Sequence, residues 1–185
     1  MRVYLVVFLE RGEGMTSFEN ISFALIGKSG AGKSTAAQMI AERYQARRVS
    51  TGAICRQISR LLMGDEDKAS TQKIDDALIK IDTSIFLKAA LRDVAQNESI
   101  CVDSLRFESD VKIARERGFF VIRITASDQL RLERLKSRGQ VFNLTIDGRH
   151  RSEVELDETP ADLEIVNDGS LDNMRRAVDS ICVRV

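Results

Sequence analysis

Gly27-Lys28-Ser29-Gly30-Ala31-Gly32-Lys33-Ser34 is the stretch that sets the fold. It fits the pattern G-x-x-x-x-G-K-[ST], whose glycines let the backbone wrap a phosphate with its N–H groups turned inward. The pattern carries weight only between a strand and a helix, and both are predicted here. Ile21-Ser22-Phe23-Ala24-Leu25-Ile26 reads as a short buried strand, and Thr35 to Tyr44 as a helix. The helix N-terminus adds its positive dipole end to the loop. Gly27 and the run Ser29, Gly30, Ala31, Gly32, Lys33, Ser34 and Thr35 therefore form the expected nucleotide cradle. Lys33 is expected to reach the β- and γ-phosphates, and the Ser34 hydroxyl to ligate Mg²⁺.

The chain has 185 residues, which suits one compact domain, and its 43% hydrophobic content is that of a folded globular protein. Lys+Arg 28 balances Asp+Glu 28. No net basic field recruits DNA, RNA or anionic lipid, so an anionic ligand must be held by locally placed arginines. Cys55, Cys101 and Cys182 lie far apart and His150 is the only histidine. That excludes the usual zinc spacings and a disulfide framework, and the thiols read as reduced, in a cytoplasmic protein. No apolar run is long enough to span a bilayer. The N-terminal run Val3 to Leu9 lacks a small-residue cleavage site, so it does not read as a signal peptide. Met15 lies just before the motif strand. Residues 1–14 are expected to be dispensable, with an extra edge strand as the rival reading.

Downstream, strands alternate with helices. Arg47 to Ser50 reads as a second strand, and Ala53 to Met63 as a helix with Ile54, Ile58, Leu61 and Leu62 on one face. After a charged loop, Gly64 to Lys68, helical spacing resumes at Ile74, Leu78 and Ile81 and continues through Phe86 to Val94, with a break near Asp82-Thr83. Ile100-Cys101-Val102 is a third strand ending at Asp103. Asp110 to Arg117 is a helix closed by Gly118. Phe119 to Ile124 shows no alternation and reads as a strand buried on both faces. Ser127 is expected to cap a helix running to Arg138 and stopped by Gly139. Residues 140–160 read as polar and irregular up to Pro160. Leu163 to Val166 is the last strand and Leu171 to Ile181 the last helix. This order predicts an α/β three-layer sandwich: a five-stranded parallel sheet with helices on both faces. The core would comprise residues 21–52 and 98–185, with a helical acceptor-binding insert at 53–97 and a short lid at 139–151.

A phosphate loop shows only that a nucleotide binds; other residues must say what happens to it. Ser50-Thr51-Gly52 ends the second strand and Arg56 follows in the first turn of the next helix. This S-T-G-x-x-x-R arrangement resembles nucleoside monophosphate kinases, in which the Thr and Arg meet the acceptor nucleotide. A guanidinium fork bonds a phosphate bidentately, although Arg56 alone would read as a solvated helix charge. Asp103, in Asp103-Ser104-Leu105-Arg106, sits where a parallel strand delivers residues to the ligand crevice. It is placed to hold Mg²⁺ through water or to accept a proton, with Arg106 bridging donor and acceptor phosphates; a strand-ending turn is the plain alternative. Arg131, Arg134 and Arg138 share one helix face, which would also suit a solvated basic surface. Asn167-Asp168-Gly169 is strong turn chemistry in its own right.

Together these motifs resemble the deoxynucleoside monophosphate kinases of bacteriophages and their bacterial relatives, over most of residues 21 to 182. The phosphate loop, Asp103 to Arg106 with the Asp110 to Gly118 helix, His150-Arg151-Ser152-Glu153, and Asn167 to Leu171 carry the likeness. The C-terminal stretch is the most discriminating. Gln72 and Asp82 fall where that family has a Gln and an Asp in its acceptor-side helices. The insert is shorter than in the phage enzymes, the chain has no tryptophan to set against an acceptor base, and the Arg131 to Arg138 helix looks more like adenylate kinases and archaeal-type dephospho-coenzyme A kinases. The resemblance implies that Arg134 lies by the donor adenine, that Arg138 binds its phosphates, and that the turn at Asn167 and Gly169 lies beside the donor base. It also implies a mobile lid contributing Arg149, with Thr51 and Gln72 contacting the acceptor.

The expected activity is transfer of the γ-phosphoryl of ATP·Mg²⁺ to a (deoxy)nucleoside monophosphate. Lys33, Asp103, Arg106 and Arg138 would serve the transfer, Ser34 and Asp103 the metal, and Arg56 with Arg106 the acceptor. His150 reads as a solvated or hydrogen-bond-donating loop residue rather than a catalytic base, since phosphoryl transfer needs mainly positioning and charge stabilisation. Dephospho-coenzyme A or another small molecule is the alternative acceptor. A catalytically idle nucleotide-binding module or switch is the alternative from another class. A GTPase would need D-x-x-G where Asp103 is followed by Ser-Leu-Arg. The expected partners are small molecules, without nucleic acid or membrane, for a monomer or homodimer.

Overall fold

A computed structural model describes residues 21–95 and 97–181. The expectations for residues 1–14 and for Cys182 lie outside these described residues. Among them, five strands form one parallel sheet in the order β2-β3-β1-β4-β5. The strands are β1 (Phe23–Ile26), β2 (Arg47–Val49), β3 (Ile100–Val102), β4 (Phe120–Thr125) and β5 (Leu163–Val166). Between them run α1 (Lys33–Tyr44), α2 (Thr51–Met63), α3 (Lys68–Leu78), α4 (Ile85–Ala90), α5 (Glu108–Glu116) and α6 (Asp128–Ser137). After α6 come a 3₁₀ turn (Asp147–Arg149) and α7 (Arg151–Val154), and α8 (Leu171–Asp179) follows β5. The expected fold class holds. No helix of the described residues is long and apolar enough to cross a membrane.

Strand periodicity divides the core between the two faces of the sheet. Phe23 and Leu25 of β1, with Ile122 and Ile124 of β4, pack against Ile40 and Tyr44 of α1 and Met174 and Val178 of α8. Ala24 and Ile26 of β1, with Ile100 and Val102 of β3, pack against Leu87 of α4 and Val111 and Ala114 of α5. A third, smaller cluster of Cys55, Ile74 and Phe86 holds α2, α3 and α4 to one another. The edge strand β2 exposes Arg47 and Arg48, charges that discourage pairing with another chain.

Several local expectations are corrected. On α2 the buried line is Thr51, Cys55 and Ser59, whereas Leu61 and Leu62 are 75% and 70% exposed. The predicted apolar face is therefore half right: Ile54 and Ile58 flank the small cluster, but the helix outruns the surface it packs on. Ile81 falls in the turn after α3 and is 75% exposed. Ser127 occupies the N-cap position of α6, but its side chain makes no capping bond. Its backbone N–H instead donates to the Asp168 carboxylate at 2.7 Å. Residues 140–160 are less irregular than expected, since they hold the 3₁₀ turn and α7. Arg123 of β4 anchors the end of this segment to the sheet, donating to the carbonyls of Leu156 at 2.8 Å and Thr159 at 2.6 Å.

β1 leads directly into the loop at Gly27, which has φ 134. A Cβ there would lie 2.1 Å from the carbonyl oxygen of Ile124 on β4. Close approach of two backbones thus requires glycine, before any ligand is considered. Gly27→Ala should cost about 2–4 kcal/mol, read as a lower urea midpoint. A variant as stable as the parent would contradict this packing.

Candidate active site

The phosphate loop runs from β1 into α1 and is clamped from three sides. Gly32, at φ 101, is the N-cap of α1, and its Cα faces the Asn167 side chain closely enough that a Cβ would meet Nδ2 at 2.3 Å. That Nδ2 donates to the Ala31 carbonyl at 2.8 Å. Arg131 of α6 is only 3% exposed and donates through Nε to the Ser29 carbonyl at 2.8 Å. Glu153 of α7 accepts from the Ser29 N–H at 2.8 Å and from the Ser29 hydroxyl in a short contact. The Arg131 guanidinium, paired with Asp128 at 2.5 Å, lies 4.0 Å from Glu153. One residue of the loop is therefore gripped at its N–H, hydroxyl and carbonyl.

Lys33 folds over the loop, its ammonium donating to the carbonyls of Gly27 at 2.6 Å and Lys28 at 3.0 Å. Burial lowers its pKa to about 8; Glu153 and Asp103 pull it upward, while Arg106 and Arg131 push it further down. The amides of Gly30, Gly32, Lys33 and Ser34 have no hydrogen-bond partner among the described residues. They are free to receive an anion at the α1 N-terminus.

A single cleft brings together Ser29, Gly30, Gly32, Lys33 and Ser34 of the loop with Gly52, Arg56, Gln72, Asp103, Arg106 and Arg138. Asp103 is 3% exposed, its N–H bonded to Val49 at 2.9 Å and its carboxylate paired with Arg48 at 2.8 Å. The Arg48 partner has no local signal in the sequence; it follows from β2 lying beside β3 and could be found only from the strand order. Arg56 and Arg106 converge: a Cβ on Gly52 would lie 3.3 Å from an Arg56 guanidinium nitrogen and 3.9 Å from one of Arg106. A side chain at this position would press on the Arg56 guanidinium.

Other expected site residues sit elsewhere. Thr51 is buried and donates its hydroxyl to the Ser104 carbonyl at 2.7 Å, outside the cleft lining. Arg149 is exposed on the 3₁₀ turn and is not among the residues lining the cleft. His150 takes that place, with Nε2 donating to Asp76 of α3 at 3.0 Å and Nδ1 2.8 Å from the Ser152 hydroxyl. The three arginines of α6 divide their work. Arg131 holds the loop, Arg134 donates to the Asn167 carbonyl at 2.9 Å, and Arg138 at the helix end reaches the cleft. Arg134 and Asn167 thus bond each other, while Gly169 packs against Asn173. Asp82 is paired with Lys88 at 2.5 Å, away from the cleft. Asp75 does line it, beside Asp103 and Glu66, and sequence reasoning missed it. Its signal was an acidic residue set into the apolar stripe of Ile74 and Leu78.

Residues 24–154 match a family model described as an AAA domain. The chain belongs to the AAA domain family. No curated protein matches its sequence. Among solved structures, this AAA domain is similar to shikimate kinase from Acinetobacter baumannii in complex with shikimate, at 13% identity and TM-score 0.56, over 88% of this chain and 91% of that one. It is also similar to a gluconokinase from Sinorhizobium meliloti 1021, at 16% identity and TM-score 0.53, over 86% and 89% of the two chains. Shikimate kinase from Aquifex aeolicus gives 16% identity and TM-score 0.52 over 85% and 93%. At such identities the likeness establishes a shared fold.

The state of Lys33 makes a prediction for the AAA domain's loop. Near pH 8 the free ammonium is about half charged, and phosphates beside it would restore its charge. ATP binding at pH 8 should therefore take up about half a proton, measured by calorimetry in buffers of different ionisation enthalpy. Affinity should fall as pH rises through this range. Lys33→Met should remove the uptake, and a parent that binds ATP without proton uptake would contradict the assignment.

Proposed function

We propose that the protein transfers the γ-phosphoryl of ATP·Mg²⁺ to a nucleoside monophosphate, giving the diphosphate. The observation that carries this reading is the convergence of Arg56 and Arg106 beside Gly52, in the cleft that also holds Lys33 and Ser34. Two guanidiniums placed together, with no carboxylate paired to either among the described residues, suit an acceptor that is itself a phosphate. The chain's zero net charge makes this local concentration of cations the more telling.

Transfer between two phosphates needs alignment and neutralisation of charge more than proton abstraction. The loop amides and Lys33 hold the donor phosphates, Arg56 fixes the acceptor phosphate, and Arg106 and Arg138 stand where charge spreads during transfer. The Ser34 hydroxyl and the Asp103 carboxylate offer hard oxygen donors to Mg²⁺; because Asp103 is already paired with Arg48, it suits a role through water. The metal, when bound, supplies charge neutralisation on the donor phosphates. The segment from Gly139 to Arg151 serves as a lid, meeting α3 through the Phe142 ring, over which the Lys68 ammonium lies at 5.8 Å, and through His150 on Asp76. It reduces water access to the transferred group.

The test is phosphoryl transfer from ATP·Mg²⁺, read by mass spectrometry over the ribo- and deoxynucleoside monophosphates and dephospho-coenzyme A. A new diphosphate from one or more monophosphates is expected. Lys33→Ala should abolish it while the protein stays folded. Arg56→Ala should raise the acceptor KM roughly 10- to 100-fold, the weight of a charge-assisted contact, and leave the KM for ATP nearly unchanged. Product from dephospho-coenzyme A alone would replace the acceptor. ATP binding without any product would leave a nucleotide-binding module.

A further inference from the structure

We propose that Asp75 and Gln72 form the base-reading face of the acceptor site and select monophosphates whose base carries an amino group. The proposal rests on the monophosphate reading above and names the substrate class within it.

Asp75 is 4% exposed yet lines the cleft. Its carboxylate forms no hydrogen bond, and no cation lies within ion-pair distance of it, among the described residues. A largely buried carboxylate with no protein partner is held at a cost, and this one is open toward the cleft. The titratable groups around it are Arg106, His150, Asp76 and Lys68; burial raises its pKa, and Arg106, foremost, opposes that rise. Behind it lies a cavity of about 10 Å³ shared with Thr51, Thr83, Phe86 and Asp110, room for about one water and no more. The donors that the protein does not supply can come from a ligand in the cleft.

The chemistry of that ligand follows from the neighbours. Arg56 and Arg106 hold its anionic end. Gln72 lies one helical turn before Asp75 on α3 and lines the same cleft, so an amide and a carboxylate face the ligand together. A carboxylate only accepts; an amide both donates and accepts. The amino group of cytosine or adenine donates to Asp75 and leaves its ring nitrogen to the Gln72 amide N–H. Guanine offers its amino group and the adjacent ring N–H side by side, matching both carboxylate oxygens. Thymine and uracil present a single N–H between two carbonyl oxygens, so one carbonyl is turned against a buried anion. That arrangement rejects them.

The experiment measures kcat and KM for the monophosphates of all five bases, with direct calorimetric binding in the absence of ATP. The parent should favour the amino-bearing bases over thymidine and uridine monophosphates. Asp75→Asn, which keeps the shape and gains an N–H, should weaken the amino-bearing acceptors roughly 10- to 100-fold, mainly in KM and binding, and narrow or reverse the preference toward thymidine monophosphate. Gln72→Ala should narrow the same preference without touching the buried carboxylate. Thermal melts confirm that both variants fold. A parent that phosphorylates all bases alike would overturn the proposal and leave the kinase reading intact. So would an Asp75→Asn variant that loses kcat equally on every acceptor with KM unchanged, the mark of a role through Arg106 or as a proton acceptor. A parent that phosphorylates no monophosphate but does act on dephospho-coenzyme A would remove the reading and this proposal together.

Discussion

The burial of one guanidinium, that of Arg131, is the constraint on which the loop depends. Taking a guanidinium out of water costs several kcal/mol unless its donors are matched, and here they are matched by Asp128, the Ser29 carbonyl and the nearby Glu153. The set is closed: Glu153 in turn accepts from Ser29, so the loop sits between a cation on α6 and an anion on α7. Removing either charge takes away one of the groups that grip Ser29. The loop therefore keeps its shape without a ligand, and an arriving phosphate need not order it. Preorganisation of this sort spares binding energy for the transferred group.

The same arrangement explains the posture of Lys33. With Glu153 drawn to Ser29 and Arg131, the ammonium turns to the carbonyls of Gly27 and Lys28. It stays partly desolvated beside Arg106 and Arg131, which is why its charge is weakly held. Incoming phosphate oxygens are stronger acceptors for an ammonium than two amide carbonyls. The lysine is thus stored in a state that phosphate relieves. Asp103 is handled in the opposite way: Arg48 neutralises it from the neighbouring strand, so a second buried anion does not stand unpaired beside the donor phosphates.

What the sequence reveals and what it hides divide along contact order. The loop, the strands and most helix bounds depend on neighbours within a few residues, through glycine chemistry, apolar runs and caps such as Asp67, which accepts from Ser70 at 2.7 Å. Those are legible. The clamp on Ser29 joins residues 124 positions apart, and the Arg48–Asp103 pair joins residues 55 apart. Nothing local marks Glu153 or Arg48 for these roles. Thr51 reads as a ligand contact through the family resemblance, but at the first position of α2 its hydroxyl finds the Ser104 carbonyl first. On α2, periodicity is a poor guide, since a helix whose last turn leaves the core still carries Leu61 and Leu62 in register. Asp75 is hidden for the converse reason, a polar residue lodged in an apolar stripe.

The two ends of the cleft differ in how they are supported. The loop rests on β1, β4, α1 and α8, whose side chains merge into one extended core on that face of the sheet. Arg56, Gln72 and Asp75 stand on α2 and α3, whose mutual packing rests on the small cluster around Cys55, Ile74 and Phe86. Only α4 of that group also sends a side chain, Leu87, into the core on the other face. Fewer buried contacts mean a lower free energy of local opening, so α2 and α3 are the elements able to move or to tolerate change. Arg106 belongs to neither group: it follows β3, with its backbone N–H tied to Asp110, while its guanidinium reaches over Gly52. In the proposed function, the group assigned to both phosphates is thereby fixed to the sheet, and the groups proposed to distinguish one acceptor from another are carried on the part of the molecule that the sheet constrains least.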